Sequence, residues 1–234
     1  GMTRLAQPPA PQAASVALGQ AWRISPVGVV GMLAVGGLSM IISGFAPIHA
    51  TAKGYSQAEV ALLLSAMPVG TLILQIPLGW LSDRTDRRYV LAGAASLLAI
   101  AFDGGALMAL VAIYLIWDGA SESIYSLSSA HAADRARKEE LLALSSSLLF
   151  AWSLSGFIVP GIVTALSAVF GTGTFIYVGI AIASAFCLFV LWRVFAARPM
   201  PAAATGSFAP MSAQTPLPVE LAFASEEPTK PAKA

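Results

Sequence analysis

Long uncharged stretches constrain the fold of this chain more than any other feature of its sequence. Four stretches contain no Asp, Glu, Lys or Arg: 24–48, 60–81, 89–102 and 141–192. A helix needs about 20 apolar residues to cross the roughly 30 Å hydrocarbon core of a bilayer. The chain is 57% hydrophobic and only 11% charged, whereas soluble domains contain about 25% charged residues. We therefore expect an integral membrane protein of the all-α class.

These stretches supply five of six predicted transmembrane helices, and residues 105–130 supply the sixth. Residues 141–192 are too long for one crossing, and Gly171-Thr172-Gly173-Thr174 supplies a turn within them. Asp103-Gly104-Gly105 separates 89–102 from the next helix in the same way. The predicted spans are 24–48, 57–81, 86–102, 105–130, 139–169 and 173–195, all within a transmembrane domain of residues 21–196. The third is the shortest, because its uncharged part 89–102 would rise only about 21 Å.

The two ends of the chain have compositions that disfavour a packed core. Residues 1–20 are rich in Ala, Pro and Gln, and residues 197–234 combine many prolines with small and charged residues. Such segments bury too little apolar surface to offset the entropy of ordering. Both are predicted to be disordered tails.

The basic residues predict the orientation in the membrane, because cytoplasmic loops carry an excess of Lys and Arg. With six crossings, Lys53 falls on one side and all twelve other basic residues fall on the opposite side. These twelve are Arg4, Arg23, Arg84, Arg87, Arg88, Arg135, Arg137, Lys138, Arg193, Arg198, Lys230 and Lys233. The sequence therefore predicts that both termini are cytoplasmic, in an inner or plasma membrane.

A charged motif, GWLSDRTDRR, follows the second predicted span at residues 79–88. Orientation alone would account for its arginines but not for its carboxylates, since acidic residues contribute little to orientation. The motif resembles the loop signature of the major facilitator superfamily, Gly-x-Leu-Ser/Ala-Asp-Arg-x-Gly/Asp-Arg-Arg. The matching residues are Gly79, Leu81, Ser82, Asp83, Arg84, Asp86, Arg87 and Arg88.

This resemblance implies a role for the motif in gating. In that family the loop joins the second and third helices of each six-helix half. By resemblance, Gly79 permits close helix contact, while Asp83 and the arginines latch neighbouring helix ends in one access state. The chemistry is suitable, because a carboxylate is favoured at a helix N-terminus and can accept a bidentate Arg.

A second resemblance concerns the end of the fourth predicted span. Tyr125-Ser126-Leu127, followed by Ala130-His131-Ala132 and Asp134-Arg135, is similar to the YcaD-like branch of the superfamily, and so is Gln75-Ile76-Pro77-Leu78-Gly79. In that branch the first pattern ends the fourth helix of the C-terminal half. The chain therefore resembles that half, with residues 1–20 as the end of a central linker and Asp134 and Arg135 beside the gating loop.

Two carboxylates lie within the fourth predicted span. Asp118 and Glu122 are one helical turn apart, and an ionised carboxylate at the bilayer centre costs about 2.5–3.5 kcal/mol. At helical spacing they share one polar face with other residues. That face comprises Tyr114, Asp118, Ser121, Glu122, Tyr125 and Ser129.

Two interpretations of this face remain open. It lines a wet pathway in which a carboxylate binds a proton or a cationic group, or it is a polar network that joins helices. The resemblance favours the pathway, because the first and fourth helices of each half line the central cavity in that family. Gln75 and Pro77 in the second span would then shape a gate, although a membrane Pro is also tolerated structurally.

Three function classes fit these features. The first is half of a twelve-helix carrier that moves a small solute by alternating access, with a second six-helix half supplied by an upstream segment or a second copy. The second is a truncated or non-transporting membrane partner. The third is an intramembrane serine protease with Ser155 and His131 as its dyad, which the depth of these residues disfavours.

Other partners are not indicated by the sequence. The single cysteine, Cys187, gives no disulfide framework and no metal-ligand spacing. No dense basic run interleaved with aromatic residues suggests nucleic acid. We expect no cofactor, no metal and no enzymatic activity, and the expected partners are the lipid bilayer, a small solute and protons.

Overall fold

The computed structural model describes residues 16–99 and 106–196, and every regular element in these ranges is a helix. The α-helices are α1 (Leu18–Ile24), α2 (Pro26–Ala52), α3 (Gln57–Ser82), α4 (Arg87–Ala99), α5 (Leu107–Ala133), α6 (Leu141–Phe170) and α7 (Thr174–Ala196), and a 3₁₀ turn, Lys138–Glu140, precedes α6. The all-helical class predicted from the sequence is confirmed.

Five of the helices are long and apolar enough to cross a bilayer: α2, α3, α5, α6 and α7. Helix α4 has 13 residues and therefore rises only about 20 Å. The third predicted span continues to residue 102, and this continuation, like the predicted break at Asp103-Gly104-Gly105, lies outside the described residues. The six-span count therefore stays a prediction.

A short helix, α1, precedes the first long helix. It begins within segment 1–20, for which the sequence predicts disorder, and two hydrogen bonds account for the difference. The backbone N–H of Ala17 donates to Ser147 Oγ of α6 at 2.9 Å, and Gln20 Nε2 donates to Glu140 Oε1 at 3.3 Å. Tertiary contacts thus order residues that local composition alone would leave unstructured.

Side-chain caps fix where the first two long helices begin. Ser25 Oγ accepts the backbone N–H of Gly28 at 3.0 Å, and Pro26 occupies the first position of α2, where its missing N–H costs nothing. Ser56 and Glu59 form a reciprocal capping box at the start of α3. These bonds satisfy backbone N–H groups that have no partner within the helix.

Helix α5 is the central element of the bundle and packs against α2, α3, α4 and α6. Its large aromatic residues are buried: Tyr114 and Tyr125 are fully enclosed, and Trp117 is 1% exposed. The Trp117 ring lies against Gly179 of α7 and 6.2 Å, between ring centroids, from Phe175. The polar face of α5 is therefore surrounded by protein on several sides.

Glycines set the distance between α3 and α5. A Cβ atom on Gly70 would collide with the backbone of Leu115, and one on Gly119 would collide with the backbone of Gly70. Small residues allow two membrane helices to approach backbone to backbone, where packing and polar contacts stabilise the pair. This close crossing brings the polar side chains of α3 within reach of α5.

The substitution Gly70→Ala tests this crossing. We expect it to separate α3 from α5 and to lower stability by about 1–3 kcal/mol, as overpacking generally does. The measurement is the thermal unfolding midpoint of the detergent-solubilised chain. Gly161→Ala in α6 is the matched control, because a Cβ there meets no atom within 4 Å. Equal midpoints for the two variants would contradict the close crossing.

Candidate functional site

The charged motif at residues 79–88 forms a buried cluster at one end of the helix bundle. Arg87, at the start of α4, is 3% exposed. Its Nη2 lies 3.6 Å from Asp83 Oδ1, and its Nε lies 3.4 Å from Asp134 Oδ2 at the end of α5. We call Asp83, Arg87 and Asp134 the ion-pair cluster. It joins the ends of three helices, since a buried guanidinium needs carboxylate partners.

A second set of bonds ties the same turn to α7. Arg88 donates through Nε and Nη2 to the carboxylate of Asp86, at 3.0 and 2.6 Å from Oδ2. Its Nη1 also donates to the backbone carbonyl of Arg193 at 2.8 Å. Arg88 is 3% exposed. The planar guanidinium therefore connects the start of α4 with the end of α7.

The remaining motif residues lie around these contacts. Arg84 is exposed and stacks over the Trp80 ring, 3.7 Å from its centroid. Gly79 is buried, and its carbonyl accepts a hydrogen bond from Ser82 Oγ at 2.7 Å. Arg135 lies one turn beyond His131, with Nη1 3.0 Å from the His131 Nδ1 atom. The structure thus brings the predicted gating residues to one end of the bundle, with Arg84 at its surface.

The carboxylate of Asp118 lies where α5 meets α3. Thr71 Oγ1 donates to Asp118 Oδ2 at 2.8 Å, and both side chains are half-buried. One turn further along α3, Gln75 Nε2 donates to Ser126 Oγ at 2.6 Å. These two bonds form a polar seam in the middle of the bundle, which in hydrocarbon is stable only when its groups are paired.

The other predicted pathway residues lie on neighbouring faces of α5. Glu122 is half-buried, and its backbone carbonyl accepts a hydrogen bond from Ser126 Oγ at 3.2 Å. Ser121 is 1% exposed and Tyr125 is fully buried, yet the hydroxyl groups of both lack a hydrogen-bond partner among the described residues. Tyr114 is likewise fully buried. A buried hydroxyl without a partner is costly, so Ser121 and Tyr125 are candidates for contact with a solute or water.

Sequence reasoning missed three groups that form hydrogen bonds in the polar seam or at the charged turn. Thr71 has a detectable signal, because it precedes Gln75 by four residues and therefore shares its face of α3. Ser126 follows Glu122 by four residues, so the two residues share a face of α5 and the sequence gives a similar signal. The sequence gives no sign that the backbone carbonyl of Arg193 accepts a hydrogen bond from Arg88, since every residue has such a carbonyl. Only the packing of α4 on α7 identifies it.

The fold and these contacts define a polytopic helical membrane protein with a charged cluster at one end. A sequence model described as the Major Facilitator Superfamily matches residues 27–228. This chain belongs to that superfamily. Membership indicates a transporter-type protein and not an enzyme, so the serine protease interpretation is withdrawn.

Known relatives carry the same family description. The chain is 28% identical over 141 residues to an MFS-type transporter of Yersinia pestis (strain Pestoides F), a match that covers 59% of this chain and 36% of the relative. It is 43% identical over 56 residues to the MFS-type transporter YfkF of Bacillus subtilis (strain 168), which covers 24% and 14%. The chain thus spans about a third of the length of the Yersinia relative. The YcaD-like branch stays a prediction, and no solved structure matches the chain.

The pH dependence of stability tests the pairing of the Asp86 carboxylate with Arg88. Burial raises its pKa, but hydrogen bonds from Arg88 outweigh burial and hold it below its ordinary value. A carboxyl with a lowered folded pKa stabilises the protein above its unfolded pKa, and this stabilisation is lost as pH falls through the folded value. We therefore expect Asp86→Asn to lower the unfolding midpoint near about pH 6, and to lower it progressively less as the pH falls below about 4.

The control for this experiment is Glu139→Gln, which removes an exposed carboxylate from the same end of the bundle. It is expected to change the midpoint little across this pH range, because exposed charges contribute little to stability. An Asp86→Asn deficit that stays equally large as the pH falls would contradict the pairing with Arg88.

Proposed function

We propose that this chain is the six-helix half of a carrier that moves a small solute across the membrane by alternating access, as a secondary active and proton-coupled transporter. One observation carries the proposal. Asp118 and Glu122 lie on α5, a helix long enough to cross the bilayer, each three residues before Ser121 or Tyr125, whose buried hydroxyls have no hydrogen-bond partner in the described part of the chain. Ionisable residues at such a depth usually mark a solute or proton pathway.

The ion-pair cluster supports six crossings. Arg87 and Asp134 are 3.4 Å apart, so the start of α4 and the end of α5 lie at the same end of the bundle. Helix α5 is long enough to cross the bilayer. The chain from Arg87 to the start of α5 must then cross it as well, although α4 alone is short. The positive residues of both turns thereby gather on one side, which we infer is the cytoplasmic side.

The apolar surface that faces outward on α3 and α6 suits contact with lipid or with a second six-helix half. On α3, Leu72 and Ile76 are 68% and 64% exposed, and on α6 Phe157 is 83% exposed. A path through the membrane needs a wall on the side opposite α2 and α5, and a pseudo-symmetric half supplies one in carriers built from repeats. Either an upstream segment or a second copy of the chain would provide that half.

The ion-pair cluster is proposed to act as the gate latch. Asp83, Arg87 and Asp134 hold the ends of α3, α4 and α5 together, and rocking of one half against the other changes the spacing of such ends. In one access state the three charges pair, and in the other they part. Charge pairing at this position therefore sets which side of the pathway is open.

A non-transporting partner is the alternative. It is compatible with the comparison, in which the match to the Yersinia protein includes 36% of that protein's length. In that case the chain would insert and fold but move no solute by itself. Reconstitution with a complementary six-helix half would separate this alternative from a self-assembling carrier.

Transport currents in proteoliposomes test the proposal. Vesicles containing the chain are challenged with a sugar, an amino acid and an organic cation in turn, with and without a pH gradient. We expect one class of solute to give a current that the gradient enhances. Asp118→Asn and Glu122→Gln should abolish the enhancement, because neither amide can carry the proton.

The matched control is Glu139→Gln, which removes a carboxylate outside the membrane-spanning part of the bundle and should leave the current unchanged. If Asp118→Asn and Glu122→Gln kept the full pH enhancement, the coupling role would be wrong. If no solute gave a current even with a complementary half present, the non-transporting alternative would replace the proposal.

A further inference from the structure

A cavity lies beside the ion-pair cluster, at the same end of the bundle, and Asp134 of that cluster contributes to its lining. Its volume is about 960 Å³. Helix α1 forms one wall with Gln20 and Arg23, and the turn between α5 and α6 forms the other with Arg135, Arg137 and Glu140. The proposed transport pathway along α5 does not use these walls.

The walls are held in place by hydrogen bonds. Gln20 donates to Glu140 across the cavity wall at 3.3 Å, and the backbone N–H of Ala17 donates to Ser147 at 2.9 Å. Ala21, on the inner face of α1, is 1% exposed. The cavity is therefore a built feature of the fold and not a gap beside a loose terminus.

The carboxylates around the cavity already have cationic partners. Asp134 pairs with Arg87 at 3.4 Å, and Glu140 pairs with Arg137 at 2.8 Å. Arg23 is exposed and has no ion-pair or hydrogen-bond partner among the described residues. Because the carboxylates around the cavity are already paired with other cations, the positive charges of Arg23 and Arg135 are available to an anion.

Arg135 is in a particularly unfavourable position for a cation. Burial, followed by the charge of Arg88, lowers the pKa of its guanidinium. One of its nitrogens is directed to His131, 3.0 Å from Nδ1 and 3.1 Å from the carbonyl oxygen. An anion in the cavity would offset the repulsion between Arg135 and Arg88.

The surroundings of the cavity fit a phosphate group at a membrane surface. Guanidinium groups bind phosphate oxygens bidentately. On α1, Leu18 and Trp22 expose 36% and 47% of their surfaces, one helical turn apart. Trp is enriched at the interface between lipid headgroups and acyl chains. An anionic headgroup could thus enter the cavity while its chains lie against Leu18 and Trp22.

We propose that the cavity between α1 and the α5–α6 turn binds a phosphate group through Arg23 and Arg135, with an anionic lipid headgroup as its natural source. Lipid bound here would bridge α1 to the end of α5, next to Asp134 of the ion-pair cluster. This inference does not depend on transport activity.

The test is a thermal unfolding titration of the full chain in detergent. The probes are dihexanoyl phosphatidylglycerol, inorganic phosphate, sodium chloride at matched ionic strength, and dihexanoyl glycerol, which has the same chains without phosphate. We expect phosphatidylglycerol to raise the unfolding midpoint. Arg23→Gln should weaken its apparent affinity by about tenfold, because one charged contact is lost, and Arg23→Lys should weaken it less.

Lys138→Gln is the matched control, since Lys138 is an exposed cation of the same turn that does not line the cavity. Stabilisation by phosphatidylglycerol alone identifies a lipid site, and equal stabilisation by inorganic phosphate identifies a site for the free anion. Either result supports phosphate binding if only the Arg23 variants weaken it. The proposal is overturned if neither phosphate compound stabilises the chain more than its control, or if Lys138→Gln and Arg23→Gln weaken binding equally.

Discussion

The ion pair between Arg87 and Asp134 fixes the arrangement on which the rest of the structure depends. It joins the start of α4 to the end of α5 at 3.4 Å, and Arg87 also pairs with Asp83 at the end of α3. Because Arg87 is 3% exposed, removing either partner would leave a buried charge, which is strongly destabilising. The cluster therefore holds three helix ends at one level, and Arg88 adds the end of α7 through the carbonyl of Arg193.

Between those helix ends, the hydrocarbon core requires that polar groups in the middle of the bundle be paired or shielded from lipid. Helix α5 carries two carboxylates and several hydroxyls, which are expensive against lipid. Gly70 and Gly119 bring α3 close enough for Thr71 to donate to Asp118, and Gln75 bonds Ser126 one turn away. The same packing leaves the hydroxyls of Ser121 and Tyr125 buried without partners among the described residues. We propose that these buried hydroxyls, beside the paired polar seam, line the pathway of a solute.

Much of this organisation was predictable because it depends on local patterns. Uncharged stretches predict the long helices, and the spacing of Asp83, Arg87 and Arg88 predicts a charged turn. The partners across helices were not predictable, because Thr71 and Ser126 acquire their roles only when α3 packs on α5. The start of helix α1, at residues 18–20, falls in the segment expected to be disordered for the same reason, since contacts to Glu140 and Ser147 far along the chain stabilise it. Local sequence patterns do not specify which solute is moved, and they do not specify the proposed proton coupling or the proposed second six-helix half.

The topology that unites these features can be measured by labelling from one side of the membrane. In a Cys187→Ser background, Thr85→Cys and Lys138→Cys place single thiols in the two basic turns, and a membrane-impermeant maleimide is added to sealed vesicles of known orientation. Both thiols are expected to react from the same side, because the proposed six-span topology places both basic turns on one face of the membrane. Reaction of the two thiols from opposite sides would contradict it.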